Sequence, residues 1–232
     1  NAFIIFDWDD SLYPKSEILK IIKNKNQIST QQISELSILS KQVHKLLNKY
    51  IKQYSSDNIA IVTASCNNWI KYSLKYLYQI GEFKEIYQLL FGSNEGRKTK
   101  IKIYNPDSKL TAKQVYKWKH ETFESLYNEQ YIQSQNTINT FVSIGDGDYE
   151  FKAAISAKKS LIKTHKNGNN INLFVHRIKL SRHPSVNDMI SQFSLLSNLC
   201  GIYEKISINA KVEETIDYQK EKLRLVCNKT NN

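Results

Sequence analysis

Three aspartates fall within four positions near the start of the chain, directly after an apolar run. Residues 3–6 predict a strand buried on both faces, and Asp7, Asp9 and Asp10 follow at its carboxyl end. In open α/β sheets, ligands bind outside the carboxyl ends of the strands. Alternation in an extended chain directs Asp7 and Asp9 to one side and Trp8 to the other. Because clustered carboxylates repel each other, a hard cation such as Mg²⁺ suits this position. The plainer interpretation is an acidic turn after a strand.

The same arrangement of an apolar run followed by acids recurs in the middle of the chain. Residues 141–144 predict a strand that runs into Gly145 and Asp146, and Glu150 follows four positions after Asp146. Gly145 would allow a close turn of the backbone. Two acidic segments at the ends of two buried strands predict one shared site, because carboxyl ends of parallel strands lie at the same edge of a sheet.

The elements between these segments alternate between strands and helices, which predicts an α/β fold with a mainly parallel sheet. Residues 59–62 form an apolar strand that ends at Thr63, and helices are expected at 16–19, 33–51, 69–80 and 115–127. Two segments compete for the third strand, 88–91 and 101–104. The helix at 115–127 follows Lys113 and carries Lys117 and Lys119.

These segments resemble the motifs of the haloacid dehalogenase superfamily in its phosphatase form. Asp7-Trp8-Asp9-Asp10-Ser11-Leu12 is similar to its first motif and the strand ending in Thr63 to its second. The third is a lysine at a helix start, for which Trp118-Lys119-x-x-x-Phe123 favours Lys119 over Lys117 and Lys113. Gly145-Asp146-x-x-x-Glu150 is similar to the fourth. The resemblance covers residues 3 to about 150 and weakens towards 200; it is nearest to protist and plant proteins with tryptophan between the aspartates.

The resemblance implies a three-layer sandwich with a Rossmann-like sheet and a Mg²⁺-dependent phosphomonoester hydrolase. Asp7 would attack phosphorus, Asp9 would act as acid and base, and Thr63 and Lys119 would stabilise the transferring oxygens. The implied metal ligands are Asp7, Asp9, Asp146 and Glu150, and Asp148 could replace one of the last two. The protist group has Asn after the motif II threonine, whereas this chain has Ala64-Ser65.

The domain organisation predicted from the sequence is an α/β domain over residues 1–200 and a tail over 201–232. The connector at 13–58 is helical and too short for a large cap domain. After residue 150 we expect a helix at 151–156, a fifth strand at 160–162, an edge strand at 173–180 and a helix at 186–199. The tail contains a further possible helix at 212–226.

The net charge of +11 would attract a phosphorylated or otherwise acidic partner. This charge would suit a phosphoprotein or another large phosphorylated substrate. It would also suit a place in a large assembly, which corresponds to a rival function as a non-catalytic structural subunit. Nucleic acid is disfavoured, because no Arg-rich tract or known nucleic-acid module is present. A solvated lysine surface is the plainer explanation of the charge.

The cysteines and the chain start bear on localisation. Cys66, Cys200 and Cys227 are odd in number and widely spaced, so we expect no disulfide framework and a reducing, intracellular compartment. No apolar run is long enough to cross a membrane. The chain begins with Asn1 immediately before the first strand, so we expect it to be part of a longer protein. The five histidines show no metal-ligand spacing.

Overall fold

Parallel strands flanked by helices organise the computed structural model of the chain. It describes residues 2–23, 28–79, 81–92, 101–135, 137–164 and 173–203, and the backbone of 213–217 and 222–226. The described strands are β1 Ala2–Phe6, β2 Ile59–Val62, β3 Lys102–Tyr104, β4 Thr140–Gly145, β5 Phe174–Lys179, β6 Glu213–Asp217 and β7 Lys222–Val226. The described helices are α1 Lys15–Lys23, α2 Thr30–Tyr54, α3 Trp69–Gln79, α4 Lys84–Phe91, α5 Ala112–Gln133, α6 Asp148–Thr164 and α7 Val186–Leu199.

The strands form one sheet in the order β3-β2-β1-β4-β5-β6-β7. The first six strands of that order are parallel and β7 is antiparallel to β6. The order from β3 to β5 is that of doubly wound, Rossmann-like sheets. Successive strands are added on one side of β1 up to β3 and on its other side from β4 onwards, so the strand order switches between β1 and β4. The ends of these two neighbouring strands are joined by a hydrogen bond from the Asp7 backbone N to Ile144 O at 2.8 Å. Ligand sites of such sheets lie at this position.

Helices cover both faces of the sheet, so the fold has three layers. Ile4 and Phe6 of β1 face a core that includes residues of α1, α2, α3, α4 and α7. Phe3 and Ile5 face the other core, which includes residues of α5 and α6. Because alternate residues of a strand point to opposite faces, continuing this pattern directs the Asp7 side chain towards α5 and α6.

Trp8 fixes the loop that follows β1. Its side chain is fully buried, lies parallel to the Tyr13 ring with centroids 5.8 Å apart, and donates from Nε1 to Ser73 Oγ at 3.2 Å. The Trp8 carbonyl accepts hydrogen bonds from the backbone N of Leu12 and Tyr13, which closes a tight turn. Asp10 in this turn has φ 56, a left-handed conformation that aspartate tolerates better than most residues. The turn therefore places three aspartates at one strand end.

Three predicted elements are wrong, and one predicted strand has a different place in the sheet. Residues 88–91 belong to α4 rather than to a strand, and 101–104 contain β3. Residues 160–162 continue α6, whose buried Ala153, Ala154, Ala157 and Leu161 recur at helical spacing. The strand predicted at 173–180 is β5, which pairs with β4 and β6 and is not an edge. The possible helix in the tail is instead the antiparallel pair β6 and β7, and the rest of 204–232 lies outside the described residues.

Two further expectations concern membranes and cysteines. Within the described ranges, no helix combines the length and the apolar character needed to cross a membrane. Cys66 and Cys200 are free thiols, the first exposed and the second half-buried, and Cys227 lies outside the described part. The compartment remains a prediction.

Candidate functional site

A crevice opens at the carboxyl ends of β1 and β4, at the switch point of the sheet. It has a volume of about 490 Å³ and is lined by acidic, basic and hydroxyl side chains and a few apolar ones. Of the sequence-predicted site residues, the lining includes Asp7, Asp9, Lys119, Asp146 and Glu150. The topology thus brings together both acidic segments and a lysine from a third segment.

Asp7, Lys119 and Glu150 form a buried charged cluster at the base of the crevice. Lys119 Nζ donates to Asp7 Oδ1 at 2.7 Å and also to Glu150 Oε1. All three side chains are at most 6% exposed, so the contacts are shielded from water. Burial raises the pKa of Asp7, and the Lys119 ammonium opposes that shift. Asp7 Oδ2 accepts from the Ser11 hydroxyl at 3.4 Å, a long contact that leaves this oxygen available to a ligand.

Lys119 is distinguished from the other candidate lysines by burial. Its side chain is 3% exposed, whereas Lys117 is 76% exposed and forms only a 3.7 Å surface pair with Glu121. Lys113 is also exposed. The α5 register turns Lys119 towards the sheet together with Phe123, one turn further along the helix.

Asp9 lines the crevice but its carboxylate contacts the opposite layer from Asp7. Its Oδ2 accepts from Lys15 Nζ at 2.8 Å and from Ser65 Oγ, and its Oδ1 accepts from Trp69 Nε1 at 2.7 Å. The prediction that Asp7 and Asp9 point to one side assumed an extended chain, and the turn after Trp8 removes that condition. The contacts of Lys15, Ser65 and Trp69 with Asp9 were not predicted, because these residues come from two segments far from each other in sequence and no local pattern connects them to Asp9.

Thr63 lies immediately after β2 and is fully buried. Its Oγ1 accepts a hydrogen bond from the Ser65 backbone N at 3.2 Å, and the crevice lining contains Ala64 rather than Thr63. In this structure Thr63 therefore orients the loop that carries Ser65, and through Ser65 it supports Asp9.

Asp146 is the acid without a partner. Its carboxylate makes no hydrogen bond or ion pair with the residues that the structure describes, although Lys179 donates to its backbone O at 2.8 Å. Burial, with the charges of Asp7 and Asp10, raises the pKa of Asp146 to about 7. This carboxylate thus lies close to two other acids, and no cationic side chain of the described residues contacts it. Binding of a metal cation would relieve that repulsion.

Lys179 and Arg182 bind the side chain of Asp148, which the sequence indicated as a possible metal ligand in place of Asp146 or Glu150. Lys179 Nζ donates to Asp148 Oδ1 and Arg182 donates to Oδ2, both at 2.6 Å. The bond from Lys179 holds the pKa of Asp148 below its usual range. Both Asp148 oxygens are therefore engaged. Lys179 ends β5 and is buried; the basic residues of this strand do not block an exposed edge, and Lys179 instead fixes the loop after β4.

Asp10, Ser16 and His183 form the rim of the crevice. Asp10 accepts from the Ser16 backbone N at 2.7 Å and from the Ser16 hydroxyl, and His183 Nδ1 lies 2.8 Å from that hydroxyl. These bonds join the start of α1 to the turn before α7. They were not predicted, since His183 and Asp10 are far apart in sequence.

Glycine is needed in the loop after β4 because other side chains fill the space. A Cβ at Gly147 would lie 2.3 Å from Glu150 Oε2, and one at Gly145 would lie 3.1 Å from Asp7 Cβ. Neither glycine has a positive φ. A close backbone turn was predicted at Gly145, but the reason for glycine at both positions is the close packing of neighbouring side chains. Glu150 Oε2 is buried without a hydrogen-bond partner in the described part of the chain.

Asp7 and Asp146 are the two of the four predicted ligands that best fit Mg²⁺. Among the described residues, no three or more His, Cys, Asp and Glu side chains are arranged around one point to hold a metal. Both Asp9 oxygens accept hydrogen bonds from other side chains, and Glu150 is held by Lys119 with its other oxygen, Oε2, buried. Asp146 has no side-chain partner among the described residues, and Asp7 has one oxygen that Lys119 does not contact. Mg²⁺ keeps several waters and is commonly bound by one or two carboxylates together with substrate phosphate. Asp7 and Asp146 fit that pattern.

Comparison with family models, with curated proteins and with solved structures found no match to this chain. What the fold and the crevice define is a doubly wound α/β protein with an acidic, lysine-containing site at its switch point.

Removing the Lys119 charge should destabilise the fold. Lys119→Met leaves Asp7 and Glu150 buried and uncompensated, a change expected to cost about 3 to 5 kcal/mol of unfolding free energy near neutral pH. Lys117→Met is the matched control on the same helix and should cost at most about 1 kcal/mol, as for an exposed pair. Urea unfolding of both variants measures the difference. Equal losses would show that the buried cluster is not what stabilises this region.

Stability should depend on pH and Mg²⁺ through Asp146. Asp146 stays protonated up to about pH 7 in the folded chain, whereas it loses its proton near pH 3.8 in the unfolded chain. Without divalent cations, the free energy of unfolding therefore falls as the pH rises between these two values. Mg²⁺ binds the deprotonated form, so its stabilisation should be larger at about pH 8 than at about pH 6.

The melting temperature with EDTA and with millimolar Mg²⁺ measures this dependence. Asp146→Asn should abolish the Mg²⁺ response and flatten the pH dependence, whereas Asp107→Asn, on an exposed turn, should change neither. If Mg²⁺ leaves the melting temperature of the unmodified protein unchanged at both pH values, the assignment of Asp146 as a ligand is contradicted.

Proposed function

We propose that the chain is a Mg²⁺-dependent phosphomonoester hydrolase of the haloacid dehalogenase type, acting through an aspartyl-phosphate intermediate. The observation that carries the proposal is the arrangement of Asp7: one of its oxygens accepts from Lys119 at 2.7 Å, and the residue lines a crevice that Asp146 also lines. An anionic nucleophile held by a lysine, with a second acid available for a cation, suits attack on a phosphoryl group.

The chemistry has two steps. Asp7 Oδ2 forms a bond to phosphorus while the ester P–O bond breaks, and the departing oxygen takes a proton from Asp9. Asp9 then removes a proton from water, whose oxygen attacks phosphorus, releases inorganic phosphate and restores the Asp7 carboxylate. Lys119 stabilises negative charge next to the attacking oxygen. Mg²⁺ held by Asp7 and Asp146 would neutralise charge on the transferring oxygens.

Asp9 must exchange one hydrogen bond to act as acid and base. The Trp69 indole can only donate, so it keeps Asp9 Oδ1 as an acceptor. Oδ2 bonds the Ser65 hydroxyl, which can both donate and accept, and Lys15. Oδ2 is therefore the oxygen that carries the proton, and rotation of the Ser65 hydroxyl accommodates both protonation states. Ser65 would therefore assist proton transfer by Asp9, and the hydrogen bond from its backbone N to Thr63 Oγ1 holds it in place for this role.

The substrate is proposed to be a large phosphorylated partner, and a phosphoprotein fits best. The connector between β1 and β2 consists of α1, α2 and a short turn at Ser56–Asn58, and buried residues of α1 and α2 pack into the core. No described segment between these strands forms a separate cap layer. A site that is not enclosed admits a phosphate displayed on a macromolecule, and a net charge of +11 attracts it.

Replacing the nucleophile should abolish turnover without unfolding the chain. Asp7→Asn retains shape and hydrogen bonding but removes the attacking anion, so phosphate release from p-nitrophenyl phosphate in Mg²⁺ should fall by at least about a thousandfold. Asp107→Asn should leave the rate unchanged. Activity that survives in Asp7→Asn rules out Asp7 as the nucleophile, whereas absence of activity in the unmodified protein favours the structural-subunit alternative.

Substrate size should separate a large partner from a metabolite. The ratio kcat/KM should be higher for phosphopeptides than for sugar phosphates or nucleotides, and the preference should decrease at high salt because charge attraction is screened. Steady-state kinetics on matched panels at low and high ionic strength measures both effects. A clear preference for one small metabolite would contradict the large-substrate proposal while leaving the hydrolase proposal intact.

A further inference from the structure

A second, apolar pocket adjoins the crevice between α1 and α3. Its volume is about 170 Å³, and its walls are mainly apolar and aromatic side chains from the two helices, with Tyr13 at its base. The residues that form the walls include Ile18, Leu19, Ile22, Trp69, Tyr72 and Tyr76. An apolar cavity of about 150 Å³ accommodates a benzene ring, so this pocket has room for one large apolar side chain.

The pocket concentrates exposed apolar surface. Among the described residues, eight large hydrophobic side chains are exposed, and three of them, Leu19, Ile22 and Tyr72, line this one pocket. Isolated exposed apolar residues need no explanation, whereas a cluster around a concave surface marks a binding site. Among the described residues, this cluster is therefore the surface feature that best fits a binding site for an apolar group.

The pocket and the crevice are continuous. Lys15 and Leu19 line both, and the Lys15 ammonium lies 5.3 Å from the centre of the Trp69 ring while donating to Asp9. Trp69 lines the pocket with its ring and donates to Asp9 from Nε1. The Lys15–Trp69 pair thus separates the apolar pocket from the acid that protonates the departing oxygen.

We propose that this pocket binds a large apolar side chain of a phosphopeptide, two residues from the phosphorylated residue. The inference rests on the proposed function, because it takes the phosphate to lie beside Asp7. In an extended peptide, side chains two residues apart lie on one face and about 7 Å apart, which allows one to enter each site across the Lys15–Trp69 pair. A small metabolite has no second group at such a distance.

The test uses phosphoserine peptides that differ only in the position of one leucine. In an otherwise Ala/Ser peptide, leucine two residues from phosphoserine should raise kcat/KM by about tenfold or more over the parent, the scale of a filled apolar pocket. Ile22→Glu should remove that preference, measured as the ratio of kcat/KM for the leucine peptide to kcat/KM for the parent. Ile38→Glu is the matched control, because Ile38 and Ile22 are 47% and 48% exposed, and it should retain the preference. Tyr72→Asp provides a second pocket variant, and circular dichroism checks that each variant folds.

Several results would overturn the inference. Equal rates for all leucine positions would do so, and so would a leucine preference that survives both pocket variants. Calorimetric binding of the same peptides as non-hydrolysable phosphonates separates this inference from the proposed activity. Tighter binding of the leucine peptide without any turnover supports the pocket and contradicts the hydrolase proposal, whereas equal binding without turnover contradicts both.

Discussion

The geometry of the site depends on one buried ammonium placed between two carboxylates. Lys119 contacts Asp7 and Glu150 in a region where all three side chains are shielded from water. Ions of this kind are tolerated only when their charges are paired, because the cost of desolvation is large. The pairing therefore constrains α5, which carries Lys119, and α6, which carries Glu150, to one position against the end of β1. The absence of Cβ atoms at Gly145 and Gly147 makes room for the cluster.

The remaining charges follow from this arrangement. One lysine cannot also satisfy Asp146, whose pKa is raised to about 7 by burial and by its acidic neighbours. Lys179 approaches from the other side but contacts the backbone of Asp146 and the side chain of Asp148. The fold thus fixes the loop after β4 rigidly while leaving one carboxylate unneutralised beside the nucleophile candidate. That combination supports the proposed binding of a cation in the crevice.

The sequence predicted best the elements whose pattern has only one interpretation. The apolar runs of β1, β2 and β4 and the long amphipathic α2 and α5 appear as expected, and α7 has the predicted bounds. Short apolar runs were ambiguous, since residues 88–91 are four positions long and satisfy either period; in the structure they complete α4, which buries Ile86. In the tail, residues 222–226 alternate charged and apolar side chains, which is a strand period that the helix prediction overlooked.

The residues around Asp9 mark the limit of prediction from motifs and explain how the crevice and the apolar pocket are coupled. Asp7, Lys119 and Asp146 occupy positions that a motif can indicate, whereas Lys15, Ser65 and Trp69 converge on Asp9 only because two crossovers, from β1 to β2 and from β2 to β3, begin at the same sheet edge.

Trp69 is the element shared by both regions, since its indole N–H fixes Asp9 Oδ1 and its ring forms a wall of the apolar pocket. Any group that enters the pocket packs against this ring and restrains its orientation. In the proposed mechanism Asp9 presents Oδ2 to the departing oxygen, so restraint of Trp69 also restrains the proposed acid. Under that proposal, recognition of an apolar side chain and orientation of Asp9 are parts of one packing arrangement.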